Sequence, residues 1–430
     1  MSRIRPRLVV LGLDGLPLSL SLRLGRRLPN LARLLPDARA IRAELPELSP
    51  VNWSSFFTAA GPEEHGVYGF TVLDPKRYTL RIANFRDVRV PTIFDALGGR
   101  GLVSRVLNLP NMAPAKPLRG MLVAGFVAES LAAAVFPPFL AGPLAAAGYR
   151  VEHDTTRGAS DPGYLMDQLR LSLAARRAAL DLLWPDLAWD LFVCVLTETD
   201  RLFHFLYPAV ADEGHALHGD CLELLAEWDR QLGGVLDRYD ALPEPKRLVA
   251  LADHGFCGLG TELDLNHVLQ RAGFLRLDRP PRDEWDAGCI GRKAWAFAMD
   301  PGRIYLHRRD HYARGCVTPA EAPGLLADLR ELLEGLTWEG GKVMEQVLTG
   351  RELYGEHAAG DVPDLVCTPR PGVDLKARYD RTEPFGYFGR GGMHTAGDAF
   401  FMDTGGDAGV ARVRDVGRLA LEHFSSGLVT

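Results

Sequence analysis

Three apolar runs constrain this chain more than any other feature. Arg7–Leu13, Asp190–Leu196 and Arg247–Ala252 are almost continuous in aliphatic residues and show no polar–apolar alternation. A strand with one wet face alternates, whereas a strand buried on both faces of a parallel sheet does not. Each run stops at an acidic turn: Asp14-Gly15, Thr197-Glu198-Thr199-Asp200 and Asp253-His254-Gly255. Leu102–Leu107 and Met121–Phe126 read as further strands, and Pro29–Leu35 as a short helix. Amphipathic stretches of helical period span Asp161 to Leu183 and Cys221 to Tyr239, with Asp161-Pro162 as a start signal. Strands alternating with helices predict an α/β fold around a mainly parallel sheet. Ligands of such sheets bind beyond the carboxyl ends of the strands, where these acids fall.

Residues 257–385 have a different texture, richer in Pro, Gly and charge, with short runs such as Arg303–Leu306 and Asp364–Cys367. They read as an inserted capping region. Residues 1–256 and 386–430 read as the core, re-entered at Gly391-Gly392-Met393-His394 and at Ala399–Met402, with a closing helix near 413–424. The 430 residues are 47% hydrophobic and 24% charged, enough to bury a large core. A net charge of −6 gives no electrostatic reason to expect a nucleic-acid polymer or an anionic membrane as partner. Six cysteines with no Cys-x-x-Cys pair suit reduced thiols and a cytoplasmic setting. The first apolar run is too short for a signal peptide. Met121 to Tyr149 is the most membrane-like stretch, but Glu129, Pro137, Pro138 and Pro143 interrupt it. A buried, Ala-rich helical segment is expected there instead of a spanning helix.

Residues 45–70 pair a hydroxyl-rich Ser-Pro turn with a short apolar helix, then a Gly-Pro-Glu-Glu-His-Gly turn. Bulk packing does not call for that density of hydroxyls. Ser49, Ser54 and Ser55 are candidate nucleophiles, with Ser49 at the helix start. Asp200 and His204, at i and i+4, share one helix face. Asp253 and His254 are adjacent at a strand end, and His394 sits in a Gly-flanked turn. Carboxylate and imidazole ligands suit zinc or manganese. Six such ligands, Asp14 included, plus one hydroxyl fit two ions ~4 Å apart. Such a pair would grip a phosphoryl group and activate Ser49. The helix N-terminus and Asn52 would hold a non-bridging oxygen. Taken singly, each residue has a plainer reading: Asp14 as a helix cap, Asp253-His254 as a turn, Asp200 and His204 as a surface pair, Ser49-Pro50 as a helix start. His65 reads as support for its turn, and His215, His218 and His267 as structural. Joint occurrence at the strand ends of one sheet favours a single cleft.

These segments together resemble the alkaline phosphatase superfamily, in particular its type I phosphodiesterase/nucleotide pyrophosphatase branch. The matching motifs are Gly12-Leu13-Asp14-Gly15, Ser49-Pro50 through Thr58 leading to His65-Gly66, Thr199-Asp200-Arg201 through His204, Ala252-Asp253-His254-Gly255-Phe256, and Gly392-Met393-His394. The resemblance implies a three-layer α/β/α core, two divalent ions (zinc, with manganese as the alternative) and a small phosphorylated substrate. The family sets its nucleophile nine residues before the Thr of a Thr-Gly pair. Thr58 is that Thr, so Ser49 falls on the nucleophile and Ser54 and Ser55 fall inside the helix. By the same resemblance one ion would be held by Asp14, Ser49, Asp253 and His254, the other by Asp200, His204 and His394. Ala59 replaces the usual Gly, and Ser the commoner Thr nucleophile. The capping region, where relatives build substrate specificity, matches little beyond Ile304-Tyr305-Leu306.

The implied activity is hydrolysis of phosphodiester or pyrophosphate bonds through a phosphoserine. A phosphomonoesterase or phosphonate hydrolase is the alternative within the superfamily, and a non-catalytic phospho-ligand-binding protein the alternative outside enzymes. A sulfatase is disfavoured, because Ser49-Pro50-Val51-Asn52-Trp53 lacks that branch's proline position and arginine, and Gly15 stands where a second Asp would be.

Overall fold

The structure, a computed structural model, describes residues 6–406 and 409–425. The chain divides into two compact units. The first comprises Met1–Gly61, Asn84–Cys257 and Gly389–Thr430, and the second Pro62–Ala83 with Gly258–Phe388. The sequence reading left residues 62–83 in the core. Their two short strands, Thr71–Leu73 and Leu80–Ile82, pair only with each other. Leu73 and Tyr78 pack into the second unit's apolar cluster. No long apolar run marks that segment in the sequence, so its allegiance shows only in three dimensions.

The first unit is built on a sheet of eight strands among the described residues: β1 (Arg7–Leu13), β2 (Ala38–Ile41), β3 (Ser104–Leu109), β4 (Gly120–Ala124), β5 (Val135–Phe136), β6 (Leu191–Leu196), β7 (Lys246–Leu251) and β8 (Ala399–Asp403). Their spatial order is β2-β8-β7-β1-β6-β3-β4-β5. The central five, β7-β1-β6-β3-β4, are parallel. On one side β8 pairs antiparallel with β7 and β2 antiparallel with β8, so β2 runs with the central five; on the other, β5 pairs antiparallel with β4. The unalternating runs are the central strands: all of β6 is buried, and β1 is buried from Leu8 onward. Helices cover both faces in a three-layer α/β/α arrangement. α1 (Ser49–Thr58) packs with α5 (Val413–His423) in one layer. α2 (Pro162–Leu183), α3 (Glu198–Ala211) and α4 (His218–Asp240) pack on one another in the other.

The expected Ala-rich buried helix within 121–149 does not form. The stretch breaks into β4, β5 and the one-turn helices Leu131–Ala134 and Ala141–Ala146, with Phe139 exposed. The prolines that rule out a membrane span also rule out a long helix. No helix among the described residues is long and apolar enough to cross a membrane.

The second unit centres on a four-stranded sheet in the order Ala296–Met299, Arg303–Leu306, Leu365–Pro369, Met344–Thr349, with antiparallel pairings throughout. Its own apolar cluster includes Phe297, Tyr305 and Leu329.

Candidate metal centre

β7, β1 and β6 are neighbours and parallel, so their carboxyl ends open on one edge of the sheet. Asp14 follows the last residue of β1, Asp253 lies two residues beyond β7, and Asp200 sits in the first turn of α3 just after β6. His204 is one turn further along α3. His394 enters on the short strand Gly392–Thr395, where the Gly391 N–H donates to the His204 carbonyl at 2.8 Å. Ser49 is the first residue of α1 and is followed by Pro50, which spends no amide at a position where an amide has no helical partner.

Close backbone approaches fix these positions. Trp53 lies across Gly12, where an added Cβ would meet the indole at 2.6 Å. From there Trp53 Nε1 donates to Asp14 Oδ2 at 3.2 Å. Thr199 Oγ1 donates to the Asp14 carbonyl at 2.6 Å. Gly15, at φ +65, turns its N–H onto Asp253 Oδ1 at 3.1 Å. Ala59 takes the left-handed conformation, φ 55, that ends α1. This is the position where the resemblance expects glycine.

The side chains converge. His254 Nε2 lies 3.2 Å from Ser49 Oγ, 3.3 Å from Asp253 Oδ2, and 3.9 Å from both Asp14 Oδ1 and Asp200 Oδ1. His394 Nε2 lies 3.2 Å from Asp200 Oδ1 and 3.1 Å from His204 Nε2, and His204 Nε2 is 3.4 Å from Asp200 Oδ1. All seven expected ligands are therefore in one cluster. Asp14, Asp253 and His254 form one group whose ligand atoms could hold an ion, and Asp200, His254 and His394 another. His254 thus faces both groups.

The proton inventory shows what this cluster lacks. His254 Nδ1 is 3.1 Å from the Gly255 carbonyl and His394 Nδ1 is 2.8 Å from the Glu47 carbonyl. Carbonyls only accept, so each Nδ1 carries a proton and Nε2 is the nitrogen turned toward the carboxylates. Asp14 Oδ1 and Asp253 Oδ2 are buried with no hydrogen-bond partner. Burial, with Asp253 and Asp200 alongside, pushes Asp14 well above the usual carboxylate range. Burial also holds the His204 and His254 imidazoles below their ordinary value, so both are neutral at pH 7. Lone pairs and carboxylate oxygens this close repel unless a cation sits among them, and a carbonyl acceptor behind a ligand imidazole is the usual support for such a site. The residues fit divalent ions.

Asn52 corrects an expectation. Its Oδ1 accepts the Glu44 N–H at 2.6 Å, and its Nδ2 donates to the Glu44 and Leu48 carbonyls, each at 3.2 Å. Both ends of the amide are used to brace residues 44–48, so it is a loop anchor and not a phosphate contact. His65 Nδ1 accepts the Val67 N–H within its own turn. Sequence reasoning missed Trp53, Thr199 and the Glu47 carbonyl. A lone tryptophan in a hydroxyl-rich helix was the available signal for the first; a carbonyl leaves none.

The fold and the family match below define a member of the alkaline phosphatase superfamily. Within it the chain belongs to the type I phosphodiesterase / nucleotide pyrophosphatase family, whose family model matches residues 8–395. No curated protein sequence matches the chain. Among solved structures, phosphonoacetate hydrolase from Sinorhizobium meliloti 1021, in complex with phosphonoformate, is 16% identical with a TM-score of 0.64 over 98% of this chain and 96% of its own. The alkaline phosphatase PafA is 12% identical with a TM-score of 0.63, over 99% and 97%. Murine ectonucleotide pyrophosphatase / phosphodiesterase 5 is 12% identical with a TM-score of 0.56, over 97% and 95%; its inactive form has been seen with AMP. At these identities the likeness is one of fold.

Proposed function

We propose that the chain hydrolyses phosphodiester or pyrophosphate bonds of a small phosphorylated substrate, with Ser49 as nucleophile and two divalent ions as cofactors. The observation that carries this is the Ser49 hydroxyl at the start of α1, 3.2 Å from His254 Nε2 and inside a cluster of carboxylates and imidazoles. Asp14, Ser49, Asp253 and His254 would hold one ion, and Asp200, His204 and His394 the other. Zinc is the expected metal and manganese the alternative. When bound, such ions supply Lewis acidity toward the serine hydroxyl and the phosphoryl oxygens.

The chain's own part is positional. The Gly255 and Glu47 carbonyls fix which nitrogen of His254 and His394 faces the centre. Trp53 and the Gly15 amide aim Asp14 and Asp253. The N-terminus of α1 favours an anion beside Ser49. Ser49 Oγ gives its proton to solvent and forms a bond to phosphorus as the bond to the leaving oxygen breaks, and that oxygen takes a proton from water, so the two transfers cancel. A water then attacks the phosphoserine phosphorus, and the Oγ–P bond breaks to return the hydroxyl. Residues 257–385 as the source of substrate choice belong to the same proposal.

The test is hydrolysis of bis(4-nitrophenyl) phosphate with added zinc. Turnover by the wild type that Ser49→Ala lacks supports the reading; equal rates overturn it. A second reading, a phosphonate hydrolase, is favoured by the likeness to phosphonoacetate hydrolase. The ratio of kcat/KM values for diester, monoester and phosphonate separates the two.

A further inference from the structure

Two arginine charges bear on His204 at the metal centre, and only one of them is committed elsewhere. Arg201 follows Asp200 on α3. Its Nη2 donates to Glu152 at 2.7 Å, its guanidinium lies 4.8 Å from the centre of the Phe126 ring, and its Nη1 is 3.8 Å from Asp200 Oδ2. Arg390, in the segment Gly389-Arg390-Gly391-Gly392 that leads to His394, is half-buried. Among the described residues no group accepts a hydrogen bond from its guanidinium and no carboxylate pairs with it.

Close approaches on both sides fix the backbone of this segment. A Cβ at Gly389 would meet the Ala159 Cβ at 2.7 Å, one at Gly391 the Phe205 carbonyl oxygen at 2.5 Å, and one at Gly392 the Phe203 carbonyl oxygen at 2.5 Å. The Gly391 N–H donates to the His204 carbonyl at 2.8 Å. Arg390 is therefore the one residue of the four with a side chain, and its neighbour is bonded to the His204 backbone. Burial does most to lower the His204 pKa; of the positive charges that add to it, that of Arg390 comes first, ahead of His394 and Arg201. Charge effects weaken with separation, so the Arg390 guanidinium lies close to this imidazole. A half-buried cation without a counter-charge is poorly compensated, and an anion brought in from outside offsets that.

We propose that Arg390 binds a negatively charged group on the leaving side of the substrate, so that the departing portion carries its own carboxylate or phosphate. This rests on the hydrolase reading above. In that reading Ser49 attacks from the side of Asp14, Asp253 and His254. An in-line displacement sends the leaving oxygen out on the opposite side of phosphorus, toward Asp200, His204 and His394. Arg390 adjoins His204, so it meets the leaving group and not the portion retained on Ser49. A guanidinium presents parallel N–H donors that match carboxylate and phosphate alike.

The experiment compares three methyl aryl phosphodiesters on the zinc-loaded protein, with 4-carbamoyl-, 4-carboxy- and 4-phosphono-2-nitrophenol as leaving groups. Each releases a coloured nitrophenolate, and the uncatalysed rates correct for differences in intrinsic reactivity. The wild type is expected to favour at least one of the two charged leaving groups over the neutral carbamoyl one in kcat/KM by about tenfold or more, the worth of one charge-assisted contact. Arg390→Gln breaks no pairing of that side chain and is expected to bring the ratio to within about threefold of one at unchanged metal content. The charged ester with the larger ratio says whether the group recognised is a carboxylate or a phosphate. Equilibrium dialysis of the free carboxy and phosphono phenols against wild type and Arg390→Gln reads the contact without turnover. If no ester is hydrolysed but the wild type binds one of these phenols about fivefold or more tighter than the variant does, the hydrolase reading fails and the anion site stands. A wild-type ratio near one, a ratio that Arg390→Gln leaves unchanged, or equal binding by the two proteins overturns the proposal and leaves Arg390 a solvated charge.

Discussion

The acids at the strand ends of the first unit and four acids of the second unit are treated in opposite ways. In the second unit Asp264, Asp286, Asp300 and Asp364 each have a donor on both oxygens. Asp286 takes Arg279 and Arg282, and Asp364 takes Arg308 and the Leu306 N–H. Asp300 takes Arg378 and the Ala377 N–H, and Asp264 the His267 and Arg378 amides. In the first unit Asp14, Asp200 and Asp253 crowd one another at the strand ends, and Asp14 Oδ1 and Asp253 Oδ2 have no donor. The first unit likewise pairs both oxygens of its buried Glu44, Asp229 and Asp403, while the strand-end oxygens of Asp14 and Asp253 are left open. An uncompensated buried charge is among the costliest features a protein keeps, so the open set marks where an outside cation belongs.

The largest expected effect separates ligands from structural acids. Ser49→Ala should lower kcat roughly 10³-fold or more and keep most of the bound metal, since a neutral hydroxyl holds a divalent ion far more weakly than a carboxylate does. Asp253→Asn should lower both turnover and metal content if Asp253 holds an ion as proposed. Asp286→Asn should leave both within a few-fold of wild type. Metal analysis beside the rate assay decides it: a metal-depleted Asp286 variant, or a fully loaded Asp253 variant, breaks the comparison.

A smaller effect is on stability. Stripping divalent ions should destabilise the first unit by about 4 kcal/mol relative to protein held at a thousandfold excess over Kd, since only the folded cluster binds them. Calorimetry should show a melting temperature several degrees lower after chelation, restored by zinc. Asp364→Asn should cost about 1–3 kcal/mol through its lost pairings, equally with and without zinc. An ion-dependent penalty at Asp364 would erase the distinction between the two halves.

Much of this contrast is legible in the sequence, for a physical reason. Strands buried on both faces leave short, unbroken apolar runs bounded by turns, and polar residues at their carboxyl ends lie where sheets of this kind bind ligands. Asp14, Asp200 and Asp253 are readable on those grounds, and Asp200 with His204 through helical spacing. Choosing Ser49 over Ser54 and Ser55 needed a family register, because three serines in one helix have the same local chemistry; in the fold Ser54 and Ser55 are buried in α1, with Ser55 bonded to the Val51 carbonyl. Asn52 misled because an asparagine near a helix start suits an anion as well as it suits a loop brace, and only the Glu44 and Leu48 contacts tell them apart. Residues 62–83 were misplaced because unit membership is decided by long-range packing of Leu73 and Tyr78, which no local pattern records.

The smallest expected effect tests the second unit's pairing from within, through pH. Asp264 and Asp286 both have full sets of donors, but of different kinds. Asp264 is bonded only by backbone amides, and burial outweighs them, pushing its pKa from 3.8 up to about 6. Its folded form holds a proton that the unfolded chain has already lost, so its contribution to stability declines as pH rises from about 4 to 6. Asp286 has two guanidinium partners, which draw its carboxyl below the usual range. Its folded form is ionised where the unfolded chain is protonated, so its contribution is present above pH 3.8 and is lost as pH falls below it. Urea denaturation of the zinc-loaded protein between about pH 3 and 7 reads both slopes. Asp264→Asn should flatten the upper window and leave the lower one, and Asp286→Asn should do the reverse. If both substitutions flatten the same window, it is burial and not the identity of the donors that sets how this unit holds its acids.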